Sequence, residues 1–455
     1  MTEPMTQPMT QPMTRGTTRR TVLKAIAGPV LLRATGLVTV AGTSLAGCTT
    51  DRDRSAVEVF VVWTGGELAA FRAVLADFSA ASGRQVRIVP VGEQVSEFLR
   101  VRLDANNPPD VAVVPLPGLV REYANDQRAV PLPESLRLNY PQSWLDMVTI
   151  NGSLYGVWVK AAHKSLFWYR RSALGGRPAP TTWAELVDLV KASAGAGHPA
   201  LAIGAADGWV VTDWFENALV AVGGGDVYEA LVRGALQWQA SVVRDALVKL
   251  AELWSIRGAF PGGPGRALLT QYEDSVVEVF ANRSAGIVFE GDFVAAVIDR
   301  FQAAGRVPEP PELFRFPPIT TAKPPLVVGG DVATLLSDSR GGMELIQWLA
   351  DGRSVRPWLA RGGFLSPNTA IQLTDYRTPL GKELATQLRS ASEVHFDLSD
   401  QVGGRLAGGQ GRGMLRILPE FFADASRPGA DRDRAVRRAQ DQLALAAEQN
   451  AARRQ

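Results

Sequence analysis

The 455 residues exceed what a single hydrophobic core usually serves, so two lobes are expected. With 46 % hydrophobic and 21 % charged residues, the usage is that of a globular chain, which excludes a disordered protein and a multi-span membrane protein. One Cys excludes an internal disulfide framework and a multi-thiolate metal site; His163, His198 and His395 are too far apart for a short zinc spacing, and the net charge of +2, which is +4 in residues 1–47 and −2 in the rest, argues for no nucleic-acid partner.

Residues 1–47 read as an export signal. A Pro/Thr-rich start leads to Arg19-Arg20, an apolar stretch interrupted by Arg33, and a run of small residues ending at Cys48. Arg19 and Arg20 with Leu23 and Lys24 resemble a twin-arginine motif, and Leu45-Ala46-Gly47-Cys48 resembles a bacterial lipobox. Cys48 is therefore the expected lipidation site and membrane anchor, with residues 48–54 as a polar tether. The protein is then expected outside the cytoplasmic membrane, held to it by lipid.

The next sixty residues alternate between strand and helix patterns. Val57–Trp63 is β-branched and apolar; Leu68, Phe71, Val74, Leu75 and Phe78 then mark a helical face. Gln85–Val91 is the next strand, Val95–Leu103 the next helix, and Val111–Val114 a short apolar strand. This order predicts an α/β fold with a mostly parallel sheet and ligands at the carboxyl ends of its strands. Residues 152–167 read as extended and offer a crossing to a second lobe. A helix over Trp183–Lys191, a strand over Ala285–Phe289 and a stiff Pro-rich stretch over 316–325 follow. Residues 431–455 are charged and helix-prone, either a surface helix or a frayed tail.

Signatures of catalysis are nearly absent: no nucleophile elbow, no phosphate loop, no zinc-protease motif. No catalytic residue, metal or cofactor is expected. Six Trp between Trp144 and Trp214 carry more information, since an indole face fits the C–H face of a pyranose. Trp209 and Trp214, in GWVVTDW, are expected in the site, each with a ring face open. One or two carboxylates are expected there as acceptors of sugar hydroxyls. Asp292 is the first candidate, with the capping of a helix at Phe293 as its alternative role.

The stretches VVWTGGELAAFRAVLADFSAASG, NGSLYGVWVKAAHKSLFWYR, DGWVVTDWFENALV, AGIVFEGDF and VGGDVATLL resemble the extracellular solute-binding proteins of bacterial ABC sugar importers, near the branch for maltose, trehalose and other α-glucosides. The resemblance implies a periplasmic-binding-protein-like fold, two α/β lobes with a hinge and an inter-lobe cleft. It places residues 55–160 and 320–360 in lobe 1, and 161–319 and 361–430 in lobe 2. It puts Gly66 and Glu67 at the cleft edge, Trp158 and Lys160 at the hinge mouth, and Trp209, Asp213 and Trp214 on the second lobe. Asp292 and Phe293 would supply a polar loop, and Gly330-Asp331 would approach after the return crossing. The second-lobe disulfide common in such proteins has no counterpart, because Cys48 is the sole Cys. The implied partners are a sugar or glycoside and the permease subunits of an importer, with the protein itself a monomer. A non-glucoside solute (an amino sugar, a cyclitol or a glycerol phosphate) and a surface glycoside hydrolase are the alternatives.

Overall fold

A computed structural model describes residues 56–391, 393–402, 404–407 and 413–452. The export motifs, Cys48 and the tether lie outside the described residues.

The first sheet has strands β1 (Ala56–Val61), β2 (Gln85–Pro90) and β3 (Val111–Val114) in parallel, as their alternation with helices requires. The β3 run VAVV is buried throughout, the pattern of a strand covered on both faces. After a short hairpin of β4 (Thr149–Ile150) and β5 (Ser153–Leu154), strand β6 (Val157–His163) enters the same sheet. It pairs antiparallel with the long β11 (Val327–Leu335), which also pairs with β3 and with the short β12 (His395–Phe396).

The second sheet runs β10 (Pro311–Arg315), β7 (Leu166–Arg170), β9 (Ile287–Glu290), β8 (Leu201–Ala202). Strand β7 divides its side chains between two layers by simple alternation. Phe167 and Tyr169 join a core built largely by helices Trp183–Gly195, Trp209–Gly223 and Ser241–Trp254. Leu166 and Trp168 face the other way, with Val276 and Val279 of helix Tyr272–Phe280 and Val294 and Val297 of helix Val294–Ala303.

Three crossings join the lobes and meet at one place. The first is Lys164–Ser165, the second runs from Phe316 to Leu326, and the third starts at Asp397. Ser165 accepts from Phe316 N at 2.9 Å through its carbonyl and from Val327 N at 2.8 Å through its hydroxyl, while Asp397 N donates to Val328 O at 2.8 Å.

The expected lobe boundaries need correction at two points. Residues 161–163 belong to β6 and the first sheet. Residues 364–388 also pack into the first core through Phe364, Leu365, Ile371, Tyr376, Leu384 and Leu388. They are tied there by pairing of Leu365 with Ala161 and by Asn368 Nδ2 donating to Ala350 O at 2.9 Å. The charged C-terminal stretch forms the helix Arg432–Ala451, whose Ala435, Val436, Ala439 and Leu443 enter the second core. Among the described residues no helix is long and apolar enough to cross a membrane.

Candidate ligand-binding site

The first wall of the site is built on β6 and β11. Register places Asp331 opposite Lys160 and Val332 opposite Trp158, so Val159 is the extra residue of a bulge. Lys160 is buried and its Nζ lies 2.5 Å from Glu67 Oε1, in the first turn of helix Gly65–Ser82. The same ammonium lies 5.4 Å from the centre of the Phe293 ring and 5.9 Å from that of Trp358. Burial opposes its charge, yet Glu67, Asp292 and Asp331 together raise the Lys160 pKa. Asp331 accepts from Trp63 Nε1 at 3.0 Å, and burial pushes its carboxyl up to about 6. Gly330 is required beside it, since a Cβ there would lie 2.5 Å from Lys160 O and 3.0 Å from the Trp158 ring.

The second wall lies at the hinge. Lys164 Nζ, on the first crossing, is 2.5 Å from Asp397 and 3.6 Å from Asp400 beyond the third crossing, and 3.4 Å from Asp213 of the second lobe. Burial opposes it, but Lys164, Asp213 and Ser399 hold Asp397 down at about 2. Burial pushes Asp213 well above the usual carboxylate range. Behind this group Glu216 is saturated, accepting from Leu398 N, Ser399 N and Tyr228 OH at 2.6, 3.0 and 2.9 Å.

Between the walls stands a cluster of aromatic rings. Trp209 is half-buried, with Tyr272 at 5.4 Å and Phe293 at 5.8 Å between ring centres and Lys164 Nζ at 6.0 Å. Several polar atoms of the candidate residues are without partners. Among the described residues, Trp209 Nε1, both carboxylate oxygens of buried Glu290 and Oδ2 of buried Asp292 make no hydrogen bond. Buried polar groups are normally satisfied, so these atoms are candidates for contact with a ligand, although atoms without partners also occur in the cores, Trp214 Nε1 and Trp254 Nε1 among them.

Two narrow pockets open onto these walls. One is lined by Thr64, Gly66, Glu67, Tyr272, Phe293 and Arg300, the other by Pro117, Trp158, Gly329, Gly330, Asp397 and Asp400. The lobes are closed on each other: a Cβ at Gly66 would sit 3.8 Å from that of Ala296, and one at Gly363 3.1 Å from it.

The expected residues thus fall into three groups. Gly66, Glu67, Lys160, Trp209, Asp213, Asp292, Phe293, Gly330 and Asp331 come together around the cleft. Trp158 lines the second pocket from a buried position, its Nε1 donating to Trp144 O at 2.8 Å. Trp214 does not belong. It is fully buried among Phe167, Trp254, Phe289 and Phe316. GWVVTDW is the start of a helix, in which Asp213 shares the face of Trp209 while a residue five positions on turns about 140° away.

Asp292 is not a helix cap, because the helix Val294–Ala303 has Phe293 at that position and no side-chain cap bond. Asp292 Oδ1 instead accepts from His163 N at 2.7 Å, and burial pushes its carboxyl up to about 6. The expected one or two carboxylates also fall short of the number present, since Asp397 and Asp400 had no signal of their own. Asp397 and Asp400 are brought in by the third crossing, and no local pattern announces that return. Tyr272, Trp63 and Trp358 were missed for the same reason: each is placed by tertiary packing alone.

Comparison with known proteins identifies the family and the fold. A family model described as bacterial extracellular solute-binding protein matches residues 63–351. An osmoprotective compounds-binding protein of Synechocystis sp. is 30 % identical over 389 residues, spanning 82 % of this chain and 90 % of the relative. An alpha-glucosides-binding periplasmic protein of Rhizobium meliloti is 27 % identical over 374 residues, 77 % of this chain and 80 % of the relative. Among solved structures, a bacterial solute receptor with exclusive preference for β-D-galactopyranose superposes with a TM-score of 0.75 at 15 % identity, over 87 % of this chain and 98 % of that one. A solute-binding protein in complex with raffinose gives 0.70 at 17 % identity, over 86 % and 99 %. These two likenesses concern the fold.

Proposed function

The chain belongs to the bacterial extracellular solute-binding proteins, and from that premise we propose that it is the substrate-binding component of an ABC sugar importer. In this reading it captures an oligosaccharide or α-glucoside by lobe closure and delivers it to a membrane permease. The observations that carry the reading are the aromatic cluster of Trp209, Tyr272 and Phe293 and the candidate atoms without a hydrogen bond among the described residues, Asp292 Oδ2, both Glu290 carboxylate oxygens and Trp209 Nε1. Rings offer the apolar plate for a pyranose, and the unpartnered atoms offer the hydrogen bonds. The specificities in the names of the two relatives, osmoprotective compounds and alpha-glucosides, support a small polyhydroxylated ligand. Both relatives are binding proteins, which supports a role without catalysis.

Direct contact is assigned to Trp209, Phe293, Glu290 and Asp292. Glu67, Lys160 and Asp331 form the first wall, while Lys164, Asp213 and Asp397 form the hinge wall. Among the described residues no group of His, Cys, Asp and Glu is arranged to hold a metal ion. The test is a thermal-shift screen of the full chain against neutral glycosides. A ligand at 100 times its Kd stabilises the protein by about 2.7 kcal/mol, so at least one glycoside is expected to raise the midpoint, and a flat response to all would contradict the reading.

The reading includes export and anchoring through a diacylated Cys48. Cells fed a clickable palmitate analogue are expected to label the wild-type chain and leave Cys48→Ser unlabelled and released from the membrane fraction. Equal membrane retention of the variant would place the anchor elsewhere.

A further inference from the structure

Helix Val294–Ala303 of the second lobe carries two stripes. Val294, Val297 and Ile298 are its buried residues and hold it to its own lobe. Ala296, Asp299 and Arg300 stand at i, i+3 and i+4, which sets them on one neighbouring stripe. That stripe meets two glycine pairs of the first lobe, far apart in the sequence. The first pair, Gly65-Gly66, opens helix Gly65–Ser82; the second, Gly362-Gly363, precedes Phe364, which packs on Trp358 in the first core. A Cβ at Gly65 would stand 3.6 Å from Arg300 Nη1, and one at Gly66 3.8 Å from Ala296 Cβ. A Cβ at Gly362 would stand 3.5 Å from Asp299 Oδ2, and one at Gly363 3.1 Å from Ala296 Cβ and 3.2 Å from Ala296 N.

The seam is therefore made of the smallest side chains on both sides. Gly65 and Gly363, with φ of 49° and 62°, hold a left-handed backbone that most side chains avoid. At one flank Arg300 Nη2 pairs with Glu273 Oε2 at 2.9 Å, and Glu273 Oε1 would lie 3.6 Å from the same Gly65 Cβ. At the other, the Phe293 ring faces the Lys160 ammonium of the first lobe at 5.4 Å. Ala296 is half-buried and joins neither hydrophobic core, so its close contacts are those made across the seam. Lobes that swing together about a hinge stop where backbone meets backbone, and here Ala296 is the side chain at that stop.

We propose that Ala296, seated between the two glycine pairs, is the docking point of lobe closure, and that its small size sets how far the lobes close and so how tightly the cleft holds a ligand. The inference rests on the solute-binding reading, in which closure encloses the ligand. It assigns a determinant of affinity outside the residues given direct contact.

The first experiment needs no ligand. In the full chain with Cys48→Ser, which removes the sole native thiol, Gly66→Cys and Ala296→Cys place two Cβ atoms 3.8 Å apart, the mean separation across a disulfide. Diamide takes up two electrons and two protons as the S–S bond forms, and both thiols are expected to disappear in a thiol count on the denatured protein. The second experiment is calorimetric titration of a panel of neutral glycosides, trehalose and maltose first, into wild type, Ala296→Leu and Ala296→Trp. Affinity is expected to fall with side-chain size, at least about tenfold for Ala296→Trp, while the unliganded melting midpoint stays near that of wild type. The oxidised cysteine pair is expected to take up no glycoside until dithiothreitol reduces it. Thiols that survive diamide, or Ala296→Trp binding as tightly as wild type, would overturn the inference and leave the sugar-binding reading intact. A fall of the unliganded midpoint in both Ala296 variants would also overturn it, by showing that Ala296 sits in a fixed core. Binding of no glycoside by wild type would contradict the sugar-binding reading, and the diamide result would still decide whether the seam forms.

Discussion

Trp209 and Trp214 stand five residues apart on one helix and serve different purposes. Trp209→Ala removes a half-buried ring from the cleft and is expected to weaken glycoside affinity by about 1–3 kcal/mol, with little loss of stability, as calorimetry and denaturant unfolding would show together. Trp214→Ala opens a cavity in the second core and is expected to cost about 3–5 kcal/mol of folding stability. Unchanged affinity in the first variant, or unchanged stability in the second, would reverse the assignment. A different residue-scale test uses acid. The folded pKa of Asp292 is about 6 against an ordinary 3.8, because the site is desolvated. A carboxyl raised in this way stabilises the fold fully below about pH 3.8 and loses that contribution as pH rises through about 6. Asn does not titrate, so the stability of Asp292→Asn relative to wild type is expected to be about 2 kcal/mol higher at pH 7.5 than at pH 4.5. Equal differences at the two pH values would show that Asp292 is not desolvated.

At the scale of elements, the crossing at Lys164–Ser165 is fastened by charge as well as by backbone hydrogen bonds. Lys164 lies among Asp213, Asp397 and Asp400 and helps hold Asp397 ionised, so removing its ammonium leaves that buried carboxylate without its cation. Lys164→Met is expected to cost about 3–5 kcal/mol in denaturant unfolding at pH 7.5, and a neutral effect would mean that these acids are protonated without it. Much of the element order could be read from periodicity. The strand Val111–Val114 has the limits its apolar run implied, and the helix Gly65–Ser82 carries its buried Phe71, Val74, Leu75 and Phe78 on the expected face. Of the candidate site, Glu67 and Lys160 came from the resemblance to the family, and Asp292 from its place after Gly291 at the end of a strand. What could not be read was the direction of the helix Trp209–Gly223. It is buried nearly all round, so its hydrophobic pattern does not say which face meets the cleft. The return of the chain through Asp397 was equally hidden, because β12 is only two residues long.

The whole molecule has its lobes drawn together over the candidate site, with Ala296 against Gly66 and Gly363. In the proposed function, a ligand enters as the lobes separate about the three crossings and closure buries it, which is the hinge motion expected of two domains joined at one locus. Ligand binding and closure are thus coupled through the same residues. The most direct test is calorimetric titration of wild type and Trp209→Ala with the glycoside that gives the largest thermal shift. Saturable one-to-one binding by the wild type, weakened about tenfold or more by the substitution, is the predicted result. Equal affinity in both proteins would place the ligand away from this cleft and contradict the central claim.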